Sequence, residues 1–403
     1  NVAPTMTITA KDQNNSSLNT GTSTNDQNIS LTFTSSKTTT DFDINSITAP
    51  NGSLSNFNSV SSTVYTAVFT PTQDGQCTIN VNGGTFTDTV GNNNIASNTF
   101  TWTHDSTSPT MVIGAKDVNN NIIQNNTTLN ITLVKLTFTC SEITNFIGSH
   151  ITTSNGSITN FLQSQSNTKL YTADFTATGD GVCTISVAAG AYSDSVGNTG
   201  LASNIITFTS DTTKPTMAIS AKNSSNVTIA HNSSTDDNNI TLTFTSSEIP
   251  VDFVSGDITV TNGSISNLTQ SSSNTKVYTA TFTPSVQGSC TIIVNAGSYK
   301  DAANNTNSVS NQLSFTFDTS SPTPTISATS PGSQTVQSSS TTNDANLNII
   351  ITTGEATSSF TSSDINVTNG AISNFASISS TQYSATFTPT GEGLCTIRVL
   401  SGA

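Results

Sequence analysis

The sequence predicts an all-β chain, a tandem array of seven-stranded β-sandwiches strung into an elongated rod. Three observations predict it. The first is composition. Only 8% of the 403 residues are charged and 33% are hydrophobic, against a usual charged share of about 25%. Thr, Val, Ile and Phe carry the apolar pattern, and these residues favour strands. The second is repetition. Pro-Thr-Met stands at 4–6, 109–111 and 215–217, and Pro-Thr-Ile at 324–326. Cys-Thr-Ile begins at Cys77, Cys183, Cys290 and Cys395, about every 106 residues. That period is too long for a solenoid repeat and suits one independently folding sandwich. The third is alternation: Met6, Ile8 and Ala10, or Cys77, Ile79 and Val81, fall on one face with polar residues between them, the mark of a sheet buried on one side.

The units so delimited are 1–104, 105–210, 211–317 and 318–403, the last lacking its final strand. In the first unit the alternation predicts strands over 5–10, 29–35, 42–48, 52–58, 64–70, 76–82 and 98–103. Asn51-Gly52 and Asp74-Gly75 punctuate them as turns. Each unit passes into the next through a short Asp-Ser-Thr-Ser-Pro type of joint, with no flexible linker, so the joints should be semi-rigid. Strands of about ten residues plus loops make a unit about 40 Å long, and four span about 150 Å. The chain opens at Asn1 without a leader pattern, which reads as a mature product or a fragment.

Charge and composition exclude several function classes. The net charge of −14 opposes phosphate-driven nucleic-acid binding, and no apolar run is long enough for a spanning helix, so no membrane insertion is expected. Three histidines and five cysteines are too few for a dense catalytic or transition-metal constellation. His104, His150 and His231 do not recur at one repeat position, and His104 reads as a surface residue. No enzyme is expected.

The chain resembles the bacterial-type immunoglobulin-like tandem repeats of large cell-surface adhesins and extracellular stalk proteins. The residues that carry the resemblance are the Pro-Thr-Met strand starts, Thr-Phe-Thr-Ser-Ser-Glu at 243–248, and Asn-Gly-Ser beginning at Asn51, Asn155 and Asn262. Phe-Thr-Pro-Thr at 69–72, Asp-x-x-Gly-Asn at 88–92 and 194–198, and the joint at 105–109 complete it. It covers essentially the whole chain. It implies immunoglobulin-like sandwiches and an extracellular structural role as a stalk, adhesin spacer or surface filament. The alternatives are a glycan- or protein-binding adhesion module, or a subunit of a strand-complemented fibre. Partners would be neighbouring repeats, copies of the same chain, or surface glycans and proteins.

In that topology the joint, the end of the second strand and the loop after the sixth strand meet at one pole. The second repeat there gathers Asp105, Glu142, Asp194 and Asn198, and the third gathers Asp211, Glu248, Asp301 and Asn305. The fourth brings Asp318 and Glu355, and in the first Lys37 replaces the Glu and leaves Asp88. Several carboxylates with carbonyls suit Ca2+, which takes six to eight oxygens, and the resemblance points the same way. The same acids also read as turn caps that bond backbone amides without any metal. At the opposite pole Asp12, Asp26 and Asp74 read as turn formers that a neighbouring unit's pole can recruit.

Four cysteines hold one inward strand position each, and Cys140 stands apart at a strand end. Cys140 and Cys183 would lie at opposite poles, about 20 Å apart, beyond the reach of a disulfide. The cysteines therefore read as small buried hydrophobes, with an intermolecular bridge as the alternative. If the source glycosylates, Asn51, Asn155 and Asn262 are the sequons placed best for it, in loops.

Overall fold

The structure, a computed structural model, describes residues 2–402. It is all-β, with four successive units, each around its own apolar core. In the first unit the strands are β1 (Met6–Lys11), β2 (Ser17–Leu18), β3 (Ser23–Thr24), β4 (Ile29–Ser35), β5 (Ile47–Thr48), β6 (Gly52–Ser59), β7 (Val64–Pro71), β8 (Gly75–Val81) and β9 (Phe100–His104). They form two sheets, ordered β2-β1-β4-β7-β6 and β3-β9-β8-β5. The pairing is antiparallel except where β3 runs parallel to β9, Ser23 opposite Thr103.

Alternation decides which face is buried. Met6, Ile8 and Ala10 of β1 and Ile29, Leu31 and Phe33 of β4 point into the sandwich, and Thr and Ser alternate on the solvated side. β1 and β4 pair from Met6–Ser35 to Lys11–Ser30, which stacks the inward residues opposite one another. Each fully buried Phe contributes about 1.5–3 kcal/mol.

Two predicted elements differ from the structure. The strand expected over 42–48 is mostly a 3-10 turn, Ile44–Ser46, followed by the two-residue β5. Asp43 caps this turn, its carboxylate accepting from the amides of Asn45 and Ser46, and the same turn forms without such a cap at Gly148–His150, Ser255–Asp257 and Ser362–Asp364. Phe42 points inward and is a hub touching Phe33, Phe57, Tyr65 and Phe86 with ring centroids 5.0–5.8 Å apart. Phe146, Phe253 and Phe360 do the same in the other units. The strand β6 carries a bulge between Ser55 and Asn58, with Asn56 in left-handed backbone at φ 51. The same break recurs at Asn160, Asn267 and Asn374.

The Asn-Gly pair at 51–52 is likewise more than a turn. A Cβ on Gly52 would stand 2.1 Å from the Phe69 ring, so only glycine lets the chain cross that ring. Asn51 adopts φ 66, and its amide donates to the carbonyls of Gln73 and Gln76. Asn155, Asn262 and Asn369 lock the equivalent turns. The nitrogen that an N-glycan would occupy is therefore hydrogen-bonded to a neighbouring loop at the half-buried Asn51, Asn155 and Asn262.

All five cysteines are free, four of them buried. Cys77, Cys183, Cys290 and Cys395 each lie 3.5–3.7 Å from one of these asparagine amides. In the fourth unit the second sheet holds Ile365–Thr368 and Thr396–Val399, with no counterpart of β9 among the described residues. No helix among them is long and apolar enough to cross a membrane.

Candidate metal centre at the domain joints

The joint residue Asp105 follows β9 directly and is fastened on both sides. Its amide donates to the carbonyl of Thr24 in β3 of the first unit, 3.0 Å. Its carbonyl accepts from Nδ2 of Asn198 in the second unit, 2.9 Å. Asp211 repeats the arrangement, from Leu129 on one side to Asn305 on the other. At the third joint the Asp318 amide donates to Thr235.

The loop that carries Asn198 is organised by Asp194. One carboxylate oxygen accepts from the amides of Val196, Gly197 and Asn198 at 2.8–2.9 Å, and the other from Asn198 Nδ2 at 2.8 Å. Gly197 takes φ 97, which an L side chain rarely adopts. In the third unit Asp301 holds Asn305 in the same way, and Asn304 takes the left-handed position at φ 69. Asp194 and Asp301 thus cap the turn. Asn198 and Asn305 serve as donors that orient the carboxylates and grip the joint.

Capping does not exhaust these carboxylates. Oxygens of Asp105, Glu142 and Asp194 lie within 4.8 Å of one another, and so do those of Asp211, Glu248 and Asp301. Oxygens bound to one Ca2+ at 2.3–2.6 Å can be no farther apart than about twice that distance, so each triad fits a single ion. The donor set is all oxygen, which suits a hard cation. Burial and neighbouring carboxylates disfavour the charged glutamates. Burial, then Asp105 and Asp194, raise the pKa of Glu142 above the ordinary glutamate value. Burial, then Asp211 and Asp301, do the same to Glu248, and burial leads the rise at Asp211. Lys169 and Lys276 offset part of this while donating to the carbonyls of Ser141 and Ser247.

The other two units differ. Asp318 and Glu355 have no third carboxylate beside them among the described residues. In the first unit Lys37 Nζ lies 3.0 Å from Asp88 Oδ2 and donates to the Val2 carbonyl.

Sequence reasoning placed Asp74 only as a turn former open to recruitment, and the structure shows the recruitment. Its carboxylate accepts from Ser106 N and Oγ at 2.8 Å and from Thr107 Oγ1, across the joint. These bonds, led by Thr107, hold its pKa below the ordinary aspartate value. Asp180 does the same to Thr212 and Thr213, and Gln287 takes over the role at the third joint. The signal was present in the recurring position just before each Gly-x-Cys. His104 corrects the expectation of a surface residue. It is buried at the end of β9, its Nε2 3.9 Å from Asp74, because the joint folds over it. His150 and His231 accept from backbone amides of Ile147 and Ser314 in separate units.

The family comparison agrees with this architecture. The bacterial Ig-like domain family matches residues 1–103, 105–209, 211–317 and 318–401, and the chain belongs to that family. No curated protein matches the sequence significantly. Solved structures that align with it include invasin, a bacterial integrin-binding protein, at 16% identity and TM-score 0.31, covering 94% of this chain and 73% of that one. InvD of Yersinia pseudotuberculosis aligns at 15% identity and TM-score 0.27, covering 87% and 92%. The D00-D0 domain of intimin aligns at 11% and 0.26, covering 50% and 98%. Overlaps this loose carry no functional weight.

Proposed function

We propose that the chain is a length of extracellular stalk, a cell-surface spacer of Ig-like units whose second and third poles each take one Ca2+ at the joint. The observation that carries the reading is the joint aspartate. Asp105 and Asp211 each bond the unit before by the amide and the unit after by the carbonyl, and present the carboxylate to a Glu and an Asp of the unit after. An ion held there ties the joint to the loop and the strand end together, and neutralises a triad that repels itself. No catalytic step belongs to this reading. Its partners are adjoining units and copies of the chain, with surface proteins or glycans as further contacts.

Small-angle scattering of the chain in calcium and then in excess chelator, with matched melting curves, tests it. The expected result is a maximum dimension near 150 Å and a stiff profile in calcium, with a flexible profile and a lower melting temperature in chelator. Identical profiles and melts would leave the aspartates as turn caps and the stiffness to the direct hydrogen bonds across each joint.

A further inference from the structure

We infer that Lys37 is a built-in substitute for the joint cation, so that the first unit carries at its pole a permanent charge that the second and third units take from solution. The inference rests on the calcium reading of those two joints.

The positions correspond. Lys37 stands two residues beyond the end of β4 at Ser35. Glu142 and Glu248 stand two residues beyond the ends of the equivalent strands, at Cys140 and Ser246. Asp88 opens the same loop as Asp194 and Asp301, and like Asp194 it accepts from the amides and carboxamide of that loop, here Val90 and Asn92. The ammonium shares one partner with the triads, the carboxylate that opens the loop. Nζ is 3.0 Å from the carboxylate of Asp88, whose side chain is only 3% exposed, and it also donates to the carbonyl of Val2. Val2 precedes Pro4 by two residues, as Thr107 precedes Pro109. The ammonium thus meets a carboxylate and a carbonyl, both hard oxygens.

The surrounding charges move with it. Lys169 and Lys276, which flank the two triads, are replaced at the matching place in the first unit by Thr63. The first pole therefore holds its positive charge inside the site, whereas the second and third hold it at the rim beside a triad of acids. An ammonium tethered by its own side chain is not removed by a chelator, and it stands on the strand-end position of the glutamate and beside the aspartate that opens the loop. The chain should then bind two Ca2+, one each at Asp105 and Asp211, and none at Asp88.

The test is to transplant the lysine. Calcium binding to the full chain is counted by isothermal titration, and domain melting is followed in calcium and in chelator. Wild type should bind two ions. Glu142→Lys and Glu248→Lys should each bind one, the double variant none, and the double variant should melt at the same temperature in calcium and in chelator. Lys37→Gln should lower the first unit's melting temperature equally in both conditions and leave the count at two. A wild type that binds no calcium brings down the joint reading and this one with it. A wild type that binds two, with a Glu142→Lys or Glu248→Lys that still binds two or still loses stability in chelator, overturns the role of Lys37 alone. A lysine variant that fails to fold is told from that outcome by the Lys37→Gln result, which overturns the inference if its loss appears in only one of the two conditions.

Discussion

Glu142 and Glu248 show how a residue's surroundings fix its response to pH. Each has its pKa raised, first by burial and then by two aspartates. A carboxyl whose folded pKa exceeds its unfolded value binds protons more readily in the native state, so its contribution to stability grows as pH falls through the raised value and is lost as pH rises. In chelator, the Glu142→Gln, Glu248→Gln double variant should melt above wild type at neutral pH. The gap should close as the pH drops through the raised range to the ordinary carboxylate pKa of about 4. In calcium the order should reverse, because the variant loses ligands; calorimetry across pH and both conditions reads this directly. Asp74, Asp105 and Asp194 add to the repulsion at Glu142, and Lys169 reduces it, so the measured slope belongs to the cluster. A second residue-scale prediction concerns Gly156, where a Cβ would stand 2.2 Å from the Phe175 ring. Gly156→Ala should destabilise the second unit by about 1–3 kcal/mol, seen as a fall in one of the unit melting transitions. The carboxylate triads were legible in the sequence because they recur at one offset and the topology converges on one pole. Asp74 and His104 were less so. Whether a loop residue faces solvent or the next unit depends on how the chain turns at the joint, and alternation within a strand says nothing of that.

At the scale of the element, the apolar alternation determined most strands. It failed where side chains compete with the backbone. Asp43 caps a 3-10 turn before β5, and the asparagines at 56, 160, 267 and 374 place a bulge in each β6-type strand. A left-handed residue with a Cβ costs about 1–2 kcal/mol, and asparagine tolerates it better than most. Asn267→Ala should therefore cost the third unit about 1 kcal/mol or slightly more, while Asn267→Gly should fall well short of that loss, measurable by denaturant unfolding. The bulge was invisible beforehand because Asn is so frequent here that no single one stands out. Only the shared offset, Asn followed by Phe or Leu, marks it in retrospect.

Across the whole molecule, the joints decide what the units do together. Asp180 accepts from Thr212 N, Thr212 Oγ1 and Thr213 Oγ1, and so fixes the exit of the second unit to the entry of the third. Asp180→Ala should leave the melting of each unit in place and broaden the distance distribution in scattering. Unchanged scattering would mean that the Asp211 contacts suffice alone. The third joint, where Gln287 does this work without charge, offers an internal comparison.

The pairing of β3 with β9 has a mechanical side. Tension passed along the array enters a unit at β1 and leaves at β9, from opposite poles. β1 is then pulled along its own axis against β4, through register from Met6–Ser35 to Lys11–Ser30, and β9 along its axis against β3 and β8. A ladder pulled lengthwise must slide, so its hydrogen bonds share the load; one pulled from the side opens rung by rung. In the first three units the arrangement of strands that closes the sandwich also makes it a unit that resists stretching.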